Sequence, residues 1–460
     1  MTARFWELIS RGETGPSYTG KEFDLRLFGA TKKLIKKYDI HYDPAHIADH
    51  EDGMLERVFQ AGLELFLEIG MYNMDTGKII RVTEEEVFEA LHRAPCCVTL
   101  GEGREKVFVN HRDLEDPSLP VVCGGVGNPM TNDARYQLYL GYALNPMIDY
   151  IEPVPPYQFR GRLVKAGTPF EIQACMDNIA LFRKASRDAG RPGMPVKGKD
   201  GVSAITDIAT NREDCGYRKS DHANVYIKPA LKTTYEDLNR IAQYLQYGIN
   251  ISSGAGGYMG GVNGGAEGAA IGGMAEAFAA VTIYQANIMS TSVMDSIYPN
   301  QTSGKAMWGS NLITAAFNKY THVPDMWGVY IATAGPCTDM ILYEIAACTV
   351  GLVVNGGHTF GVAPNQGVTL NYCTPMEPQF MGEVGYAATK LTRKQANDIS
   401  LKILEKYEDR LMAKQAPKGK TFQELYNLET LEPCEEYREL VASVWEELEI
   451  LGLKRYSFRG

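Results

Sequence analysis

The stretch "YIEPVP" (150–155) opens a series of short apolar runs separated by segments with helical spacing. The series continues with "GMPV" (193–196), "NVYI" (224–227), "INISSG" (249–254), "IMSTSVM" (288–294), "WGVYIAT" (327–333) and "LVVNGG" (352–357). Helices are predicted over 169–188, 235–247, 265–287, 337–349 and 379–412. Apolar runs that alternate with helices are typical of β-α units around a parallel sheet. Counting seven or eight units, we predict an α/β fold, a (β/α)8 TIM barrel, with an open doubly wound sheet as the alternative.

The segments on either side of this series have a different pattern. Residues 1–148 are predicted to form a largely helical N-terminal extension, with helical spacing over 24–37 and 54–70 and strand-like pieces around 97–123. Thr83 and Glu86 resemble a capping box that opens a helix over 84–93. The barrel is expected over 149–412, and 413–460 is expected to be a C-terminal helical tail packed on the barrel.

Composition narrows the class of protein. The chain of 460 residues has a formal net charge of -10 and no long basic run, which disfavours nucleic-acid binding. No apolar run approaches a membrane span, and the first twenty residues lack the order of a signal peptide, so we expect a cytoplasmic protein without a membrane partner. Nine scattered cysteines without a Cys-x-x-Cys pair predict neither a disulfide framework nor a metal site.

Polar residues at the carboxyl ends of the predicted strands are the first site candidates, because function gathers at those ends in both architectures. Lys197 follows "GMPV" and precedes Gly198. It is either a solvated loop residue or a group directed into a pocket, and its position at a strand end favours the pocket. The other candidates at such ends are His222, Asn224, Asn250, Asp295 and Tyr330.

The run "GAGGYMGGVNGGAEGAAIGG" (254–273) is unusually rich in glycine but matches neither nucleotide-binding motif. Its glycines predict either close approach of the backbone to a ligand or another subunit, or a flexible loop leading into a tightly packed helix. The sequence leaves both interpretations open.

Several longer stretches identify a family. The segments 59–87, "GRPGMPVKG" (190–198), "AGPCTDM" (334–340) and "APKGKTFQELYN" (416–427) resemble the monomethylamine methyltransferases of methanogens, and the resemblance extends over nearly the whole chain. It implies a (β/α)8 barrel, a homo-oligomer (a hexamer), and methyl transfer from a small amine to a separate corrinoid protein.

The resemblance also implies that the corrinoid arrives on a partner protein. Corrinoid carriers use Asp-x-His-x-x-Gly, and the nearest match here, Asp39-Ile40-His41, has Pro44 in place of the glycine. We therefore expect no permanently bound cofactor.

The family places pyrrolysine, a lysine acylated at its side-chain nitrogen, at the position that matches Lys197. Two glutamates, a glutamine and a tyrosine surround its ring in the family. The matching positions here are Ala223 or Asn224, Asn250, Val329 and Ile331. Because all four partners are replaced, an unmodified lysine is favoured, and a modified lysine written as K is the alternative.

The state of Lys197 decides the predicted substrate. A lysine ammonium lacks the electrophilic carbon with which pyrrolysine holds monomethylamine, so plain lysine favours a substrate that is already activated, such as a quaternary ammonium. Lys197 would then bind an anionic group of the substrate, such as a betaine carboxylate. The candidates to face the cationic end are Tyr258, Trp327 and Tyr330.

Two other functions remain open from the sequence. One is a Schiff-base enzyme of the aldolase type with Lys197 as nucleophile. The other is an amine- or betaine-binding protein without catalytic activity.

Overall fold

The N-terminal segment is helical, with two small β-hairpins. The computed structural model describes residues 3–125, 128–198, 201, 203–329 and 331–456. The first elements are α1 (Ala3–Thr14), α2 (Gly20–Lys37), α3 (Asp52–Ile69), β1 (Met71–Asn73), β2 (Lys78–Ile80), α4 (Glu84–Arg93), β3 (Cys97–Leu100) and β4 (Val107–Asn110). The predicted capping box at the start of α4 is confirmed, since the Thr83 hydroxyl accepts from the Glu86 amide and the Glu86 carboxylate accepts from the Thr83 amide.

Ten further strands follow, and most of them are short. They are β5 (Val122–Gly124), β6 (Tyr150–Ile151), β7 (Gln158–Phe159), β8 (Arg162–Leu163), β9 (His222–Asn224), β10 (Lys232–Thr233), β11 (Asn250–Met259), β12 (Ile288–Asp295), β13 (Met326–Val329) and β14 (His358–Val362). β7 and β8 form a separate hairpin, and β10 extends the sheet of β1 and β2.

The remaining strands close into a ring in which every pairing is parallel. β13, β14, β5 and β6 lie side by side in that order, and so do β9, β11 and β12. Bridges from Ile151 to Val196 and from Lys197 to His222 insert the segment 196–197 between β6 and β9, and a bridge from Met289 to Asp325 joins β12 to β13. Eight parallel segments without a free edge form a closed barrel, which confirms the TIM-barrel prediction and excludes the doubly wound sheet.

One helix follows each barrel segment along the chain. These are α5 (Asn132–Leu144), α6 (Pro169–Asp188), α7 (Ala204–Ala209), α8 (Tyr235–Tyr247), α9 (Ala266–Thr282), α10 (Gly304–Tyr320), α11 (Asp339–Val354) and α12 (Met376–Ala388). The last helices are α13 (Arg393–Leu404), α14 (Glu408–Met412), α15 (Phe422–Leu425) and α16 (Glu435–Ile450). In α16, the Trp445 indole donates to Glu383 of α12 at 3.0 Å, so this helix contacts the barrel wall.

Three expectations about these elements need correction. The barrel begins one unit before residue 149, because β5 pairs with both β6 and β14. The run 352–357 is the end of α11 and a turn, and the strand is β14. The helix expected over 379–412 is divided into α12, α13 and α14. The division of the chain into domains stays a prediction.

The glycine-rich run forms the end of β11 and the start of α9. A Cβ atom on Gly257 would lie 1.9 Å from the Ala269 carbonyl oxygen, so only glycine allows α9 to pack this closely on β11. The tightly packed helix of the second interpretation is present, but the run begins within strand β11 rather than in a loop. No helix in the described parts of the chain combines the length and apolar character needed to cross a membrane.

Candidate active site

Lys197 lies inside the barrel and is 1% exposed. Its amide donates to the Ile151 carbonyl, and the amide of Gly198 donates to the His222 carbonyl, so the backbone on both sides is held by neighbouring strands. Its Nζ lies 3.7 Å from Oε2 of Glu152, too far for a direct hydrogen bond. Lys197 and Glu152 therefore form a buried ion pair without a direct hydrogen bond.

The face of Phe360 covers the lysine ammonium. Nζ lies 2.9 Å from the centroid of the Phe360 ring, within the range of a cation–π interaction. Phe360 belongs to β14, and the close approach of β13 depends on Gly328, where a Cβ atom would lie 1.9 Å from the Phe360 carbonyl oxygen.

The described side chains of His222, Tyr150 and Cys123 near Lys197 are neutral. Burial, and then the charge of Lys197, hold the pKa of His222 well below its usual range, and neither ring nitrogen has a partner among the described residues. The Tyr150 ring packs edge-on against His222, and its hydroxyl lies 3.0 Å from Sδ of Met326. Burial raises the pKa of the Cys123 thiol. Lys197 and Glu152 thus carry the charge of this compartment.

Burial acts on both members of the ion pair. It lowers the pKa of Lys197 to about 8, with Glu152 opposing the shift. It also raises the pKa of Glu152, with Lys197 opposing that shift. Desolvation therefore outweighs the mutual attraction for both groups, and Lys197 titrates nearer to neutrality than an ordinary lysine.

A cavity of about 280 Å³ lies toward the carboxyl ends of the strands, with Phe360 but not Lys197 among its lining residues. Four aromatic side chains line it: Tyr226, Tyr258, Trp327 and Phe360. Its polar side chains are Ser290, Ser292 and Gln301, and no described lining residue carries a charge. Gly254 allows the Tyr226 ring to pack directly against β11, since a Cβ atom at this position would lie 1.9 Å from the ring.

The structure brings only some of the predicted site residues together. Lys197 and His222 are paired across adjacent segments, and a Cβ atom on Gly198 would lie 3.2 Å from Oδ1 of Asn224. Tyr258 and Trp327 line the cavity.

The placement of Asn250 at a strand's carboxyl end is wrong. This residue begins β11, as His222 begins β9, and the two are register partners, so Asn250 lies one strand beyond His222 at the level of Lys197. Its side-chain amide donates to the Asp221 carbonyl at 3.4 Å and accepts from Asn287 at 3.2 Å. The sequence did not mark where this strand ends. The predicted run covered residues 249–254, whereas β11 continues to Met259. Tyr330 lies outside the described residues.

Two of the positions that match the family's ring partners carry apolar side chains, Val329 and Ile331. Val329 is fully buried, while Ile331 lines the cavity and its amide donates to Gln301 at 3.0 Å. Neither side chain can form a hydrogen bond.

Sequence reasoning missed Glu152 and Phe360. Glu152 directly follows β6 within "YIEPVP", so a charged residue after a buried strand was an available signal. Phe360 offered none, because it lies in a strand that the sequence placed several residues too early.

A closed (β/α)8 barrel with its cavity at the carboxyl ends of the strands has the architecture of a barrel enzyme. The family model described as "Monomethylamine methyltransferase MtmB" matches residues 4–453. The chain belongs to this family and is a methyltransferase.

Individual relatives agree with this assignment. The monomethylamine methyltransferase MtmB of Methanosarcina mazei is 30% identical over 458 residues, covering 97% of this chain and 98% of the relative. MtmB1 of Methanosarcina barkeri is equally similar. The crystal structure of the Methanosarcina barkeri enzyme matches with a TM-score of 0.94 at 29% identity over 98% of both chains, as does a structure of a hydroxylamine MtmB complex.

Proposed function

We propose that this methyltransferase takes a methyl group from a quaternary ammonium and transfers it to the reduced cobalt of a separate corrinoid protein. The observation that carries the proposal is the cavity lined by four aromatic side chains with no charged residue among its described walls. Aromatic faces bind methylated ammonium groups through cation–π attraction, and such groups need no hydrogen-bond acceptor.

The size of the cavity agrees with a small substrate. Its volume of about 280 Å³ is at the lower end of the range for small-molecule sites. Primary ammonium groups carry three N–H donors and require acceptors when they are buried. The walls of this cavity favour a fully methylated nitrogen over monomethylammonium.

The surroundings of Lys197 support an unmodified side chain. The Phe360 ring lies against Nζ, so an acyl group on Nζ would require this ring to move. The replaced family partners at Val329 and Ile331 offer no side-chain hydrogen bond to such a group. If Lys197 is instead pyrrolysine, the predicted substrate is monomethylamine.

The chemistry of a quaternary substrate needs no acid or base from the protein. When the methyl carbon–nitrogen bond breaks, its electron pair stays on nitrogen, which leaves as a neutral tertiary amine. The corrinoid supplies the nucleophilic cobalt, and the residues of this chain bind and orient the cation and exclude water. Because the corrinoid is brought by its carrier protein, we expect no permanently bound cofactor.

The role expected for Lys197, binding an anionic group of the substrate, does not fit its contacts. Its ammonium already faces Glu152 and the ring of Phe360. We propose instead that Lys197 is a positioning residue that holds the Phe360 ring as one wall of the cavity. By family resemblance we also expect a homo-oligomer, a hexamer.

One observation favours a second function. A buried lysine with its pKa lowered to about 8 at a barrel strand is also suited to form a Schiff base. The burial of Lys197 argues against this function, because its side chain is 1% exposed and is not among the described residues that line the cavity.

The test combines three measurements on the purified protein. Peptide mass spectrometry over residues 191–201 of protein from the native organism should show unmodified Lys197. With a corrinoid-protein fraction from that organism, reduced beforehand, tetramethylammonium should produce methylated corrinoid and monomethylamine should not. Borohydride in the presence of pyruvate should leave the mass of this peptide unchanged.

Each alternative gives a distinct result that would overturn the proposal. Extra mass on Lys197 with turnover of monomethylamine would establish the pyrrolysine enzyme. A reduced adduct on Lys197 would establish the Schiff-base enzyme. Binding of tetramethylammonium without any methyl transfer would establish the silent binding protein.

A further inference from the structure

Three loops at the barrel mouth are hydrogen-bonded to one another. The loops that follow β12, β13 and β14 are 296–300, 331–337 and 363–372. The Gln366 side chain donates to the Pro299 carbonyl at 2.8 Å. Its amide donates to the Ala332 carbonyl, and the Asn365 amide donates to the Ala334 carbonyl. The three loops therefore form one unit at the carboxyl ends of adjacent barrel strands.

A segment of the C-terminal tail, residues 414–420, is fixed against these loops. The Lys420 amide donates to the Pro336 carbonyl at 3.1 Å. A Cβ atom on Gly335 would lie 1.7 Å from the Lys418 carbonyl oxygen, so glycine is required for this close contact. Two of the stretches that identify the family, "AGPCTDM" and "APKGKTFQELYN", meet here. We call the three loops and this tail segment the mouth platform.

The backbone of the mouth platform is constrained. Eleven described residues other than glycine have a positive φ, and five of them lie in the platform: Cys337, Asn365, Gln366, Asn371 and Lys414. Asn365 and Gln366 are consecutive, with φ of 50° and 61°. Left-handed conformations cost free energy at such residues and cluster where a surface must keep a shape for binding. This concentration of strain indicates a binding surface.

Two apolar and two cationic side chains of the platform are free to contact a partner. Ile297 and Val368, 74% and 75% exposed, are two of the three most exposed large apolar side chains in the described parts of the chain. Exposed Lys414 and Lys418 each lie over a tyrosine ring, and neither forms an ion pair with a described carboxylate. On a chain with a net charge of -10, this combination fits a partner face that is apolar with carboxylates beside it.

The platform is continuous with the wall of the cavity. Met294 and Gln301 line the cavity at the two ends of loop 296–300, and Ile331 lines it at the start of the next loop. Reduced cobalt must come within about 3–3.5 Å of the methyl carbon, so the corrinoid carrier protein has to cover the mouth during transfer. A second copy of this chain on the same surface would block that approach.

We infer that the mouth platform is the docking surface for the corrinoid carrier protein. Ile297 and Val368 pack against an apolar patch of the carrier, and Lys414 and Lys418 face its carboxylates. Since the loops are already fixed, docking orders little backbone, which lowers the entropy cost of binding. This inference rests on the proposed transfer to a separate corrinoid protein but does not depend on which amine supplies the methyl group.

The experiment measures methyl transfer while the carrier concentration is varied. The purified full-length chain receives tetramethylammonium, or monomethylamine if only that amine supports turnover, and increasing amounts of the reduced corrinoid-protein fraction from the native organism. Ile297→Glu and Val368→Glu each place a charge in the apolar contact and should raise the KM for the carrier at least about tenfold. The kcat and the KM for the amine should change by less than about twofold, because neither residue lines the cavity.

The two lysines are tested by the salt dependence of the same KM. For the wild type, the KM for the carrier should rise at least about threefold between about 20 and about 200 mM ionic strength, because salt screens exposed charge pairs. The double substitution Lys414→Glu with Lys418→Glu should raise this KM at low salt and abolish its increase with salt. An unchanged salt dependence in the double variant would overturn the role of the lysines.

The matched controls are Ile450→Glu, at an exposed apolar residue on α16, and the pair Lys106→Glu with Lys394→Glu, at exposed lysines outside the platform. They should behave as the wild type, and thermal melting should confirm that all variants are folded. A KM for the carrier that survives Ile297→Glu and Val368→Glu would overturn the inference while leaving methyl transfer intact. So would a change of oligomeric state in these variants by sedimentation, which would make the platform an interface between copies. Absence of turnover with both amines would overturn the proposed function itself, together with this inference.

Discussion

The cavity and the buried site of Lys197, which share Phe360, have opposite characters. The cavity at the strand ends is aromatic, uncharged in its described walls and open to a ligand. The compartment beneath the ring contains the buried charges of Lys197 and Glu152, 3.7 Å apart, next to neutral His222. One phenylalanine ring contacts both.

This contrast separates two tasks that the sequence assigned to one residue. In the family, the residue at the position of Lys197 carries the group that meets the substrate. Here the ammonium ends below Phe360, and the surfaces available to a ligand belong to side chains on β11, β12 and β13. The family's key position is thus retained inside the barrel, while the proposed contacts with the substrate lie one layer closer to the barrel mouth.

The largest expected effect concerns the cost of burying the charge of Lys197. Its pKa is lowered from 10.5 to about 8, so the unfolded chain binds more protons than the folded one between these values. The cost is fully present below about pH 8 and is relieved as the pH rises toward 10.5, on the order of 3 kcal/mol in total. The free energy of unfolding of the wild type should therefore rise over this window relative to that of Lys197→Met, as measured by urea denaturation.

The control for this comparison is Lys36→Met, which removes an exposed lysine from α2. Its free energy of unfolding should follow the wild type at every pH. Parallel curves for the wild type and Lys197→Met would show that Lys197 is not buried as a strained charge, and the contrast between the two compartments would be lost.

The sequence predicted the closed barrel because short apolar runs alternate regularly with helical segments. This is the pattern of a parallel sheet that is buried on both faces. It failed where strands are shortest. β5 consists of three residues, valine, cysteine and glycine, and a strand of this length is too short to show a periodic pattern. Its parallel pairing with β14, more than two hundred residues away in the chain, is set by tertiary packing alone.

The candidate site was predicted in part for the same reason. Lys197 follows the predicted run "GMPV", and Tyr258 and Trp327 were aromatic candidates that do line the cavity, while the roles of all three stay predictions. Phe360 looks like any core residue, and its role depends on the side chain that it meets across the barrel. Residue type cannot reveal such a contact, because it joins strands that are distant in sequence.

A smaller effect is expected from thinning the wall between the compartments. Phe360→Leu keeps an apolar side chain but removes the ring over Nζ, so the free energy of unfolding should fall by less than about 1.5 kcal/mol. Lys197 should then react with a small acetylating reagent, detected as added mass on the peptide 191–201, whereas the wild type should not. Phe380→Leu, at a buried ring on α12 that packs on Trp445, is the matched control. If Lys197 is acetylated equally in the wild type, Phe360 does not separate the compartments.

The smallest effect concerns the aromatic face of Tyr258. Burial, followed by the charge of Glu276, raises the pKa of Tyr258 to about 12, so its hydroxyl is neutral near pH 7 and offers a cation no opposite charge. We expect the ring face to supply the attraction. Tyr258→Phe should therefore change the Kd for tetramethylammonium by less than about twofold. Tyr258→Leu should weaken binding by about 0.5–1 kcal/mol, or about two- to fivefold, because an aliphatic side chain lacks the quadrupole that attracts a cation. Calorimetric titration of both variants measures the difference. Equal weakening by phenylalanine and leucine would mean that the hydroxyl, and not the ring, contacts the ligand, and the aromatic cavity would lose its assigned role in binding the cation.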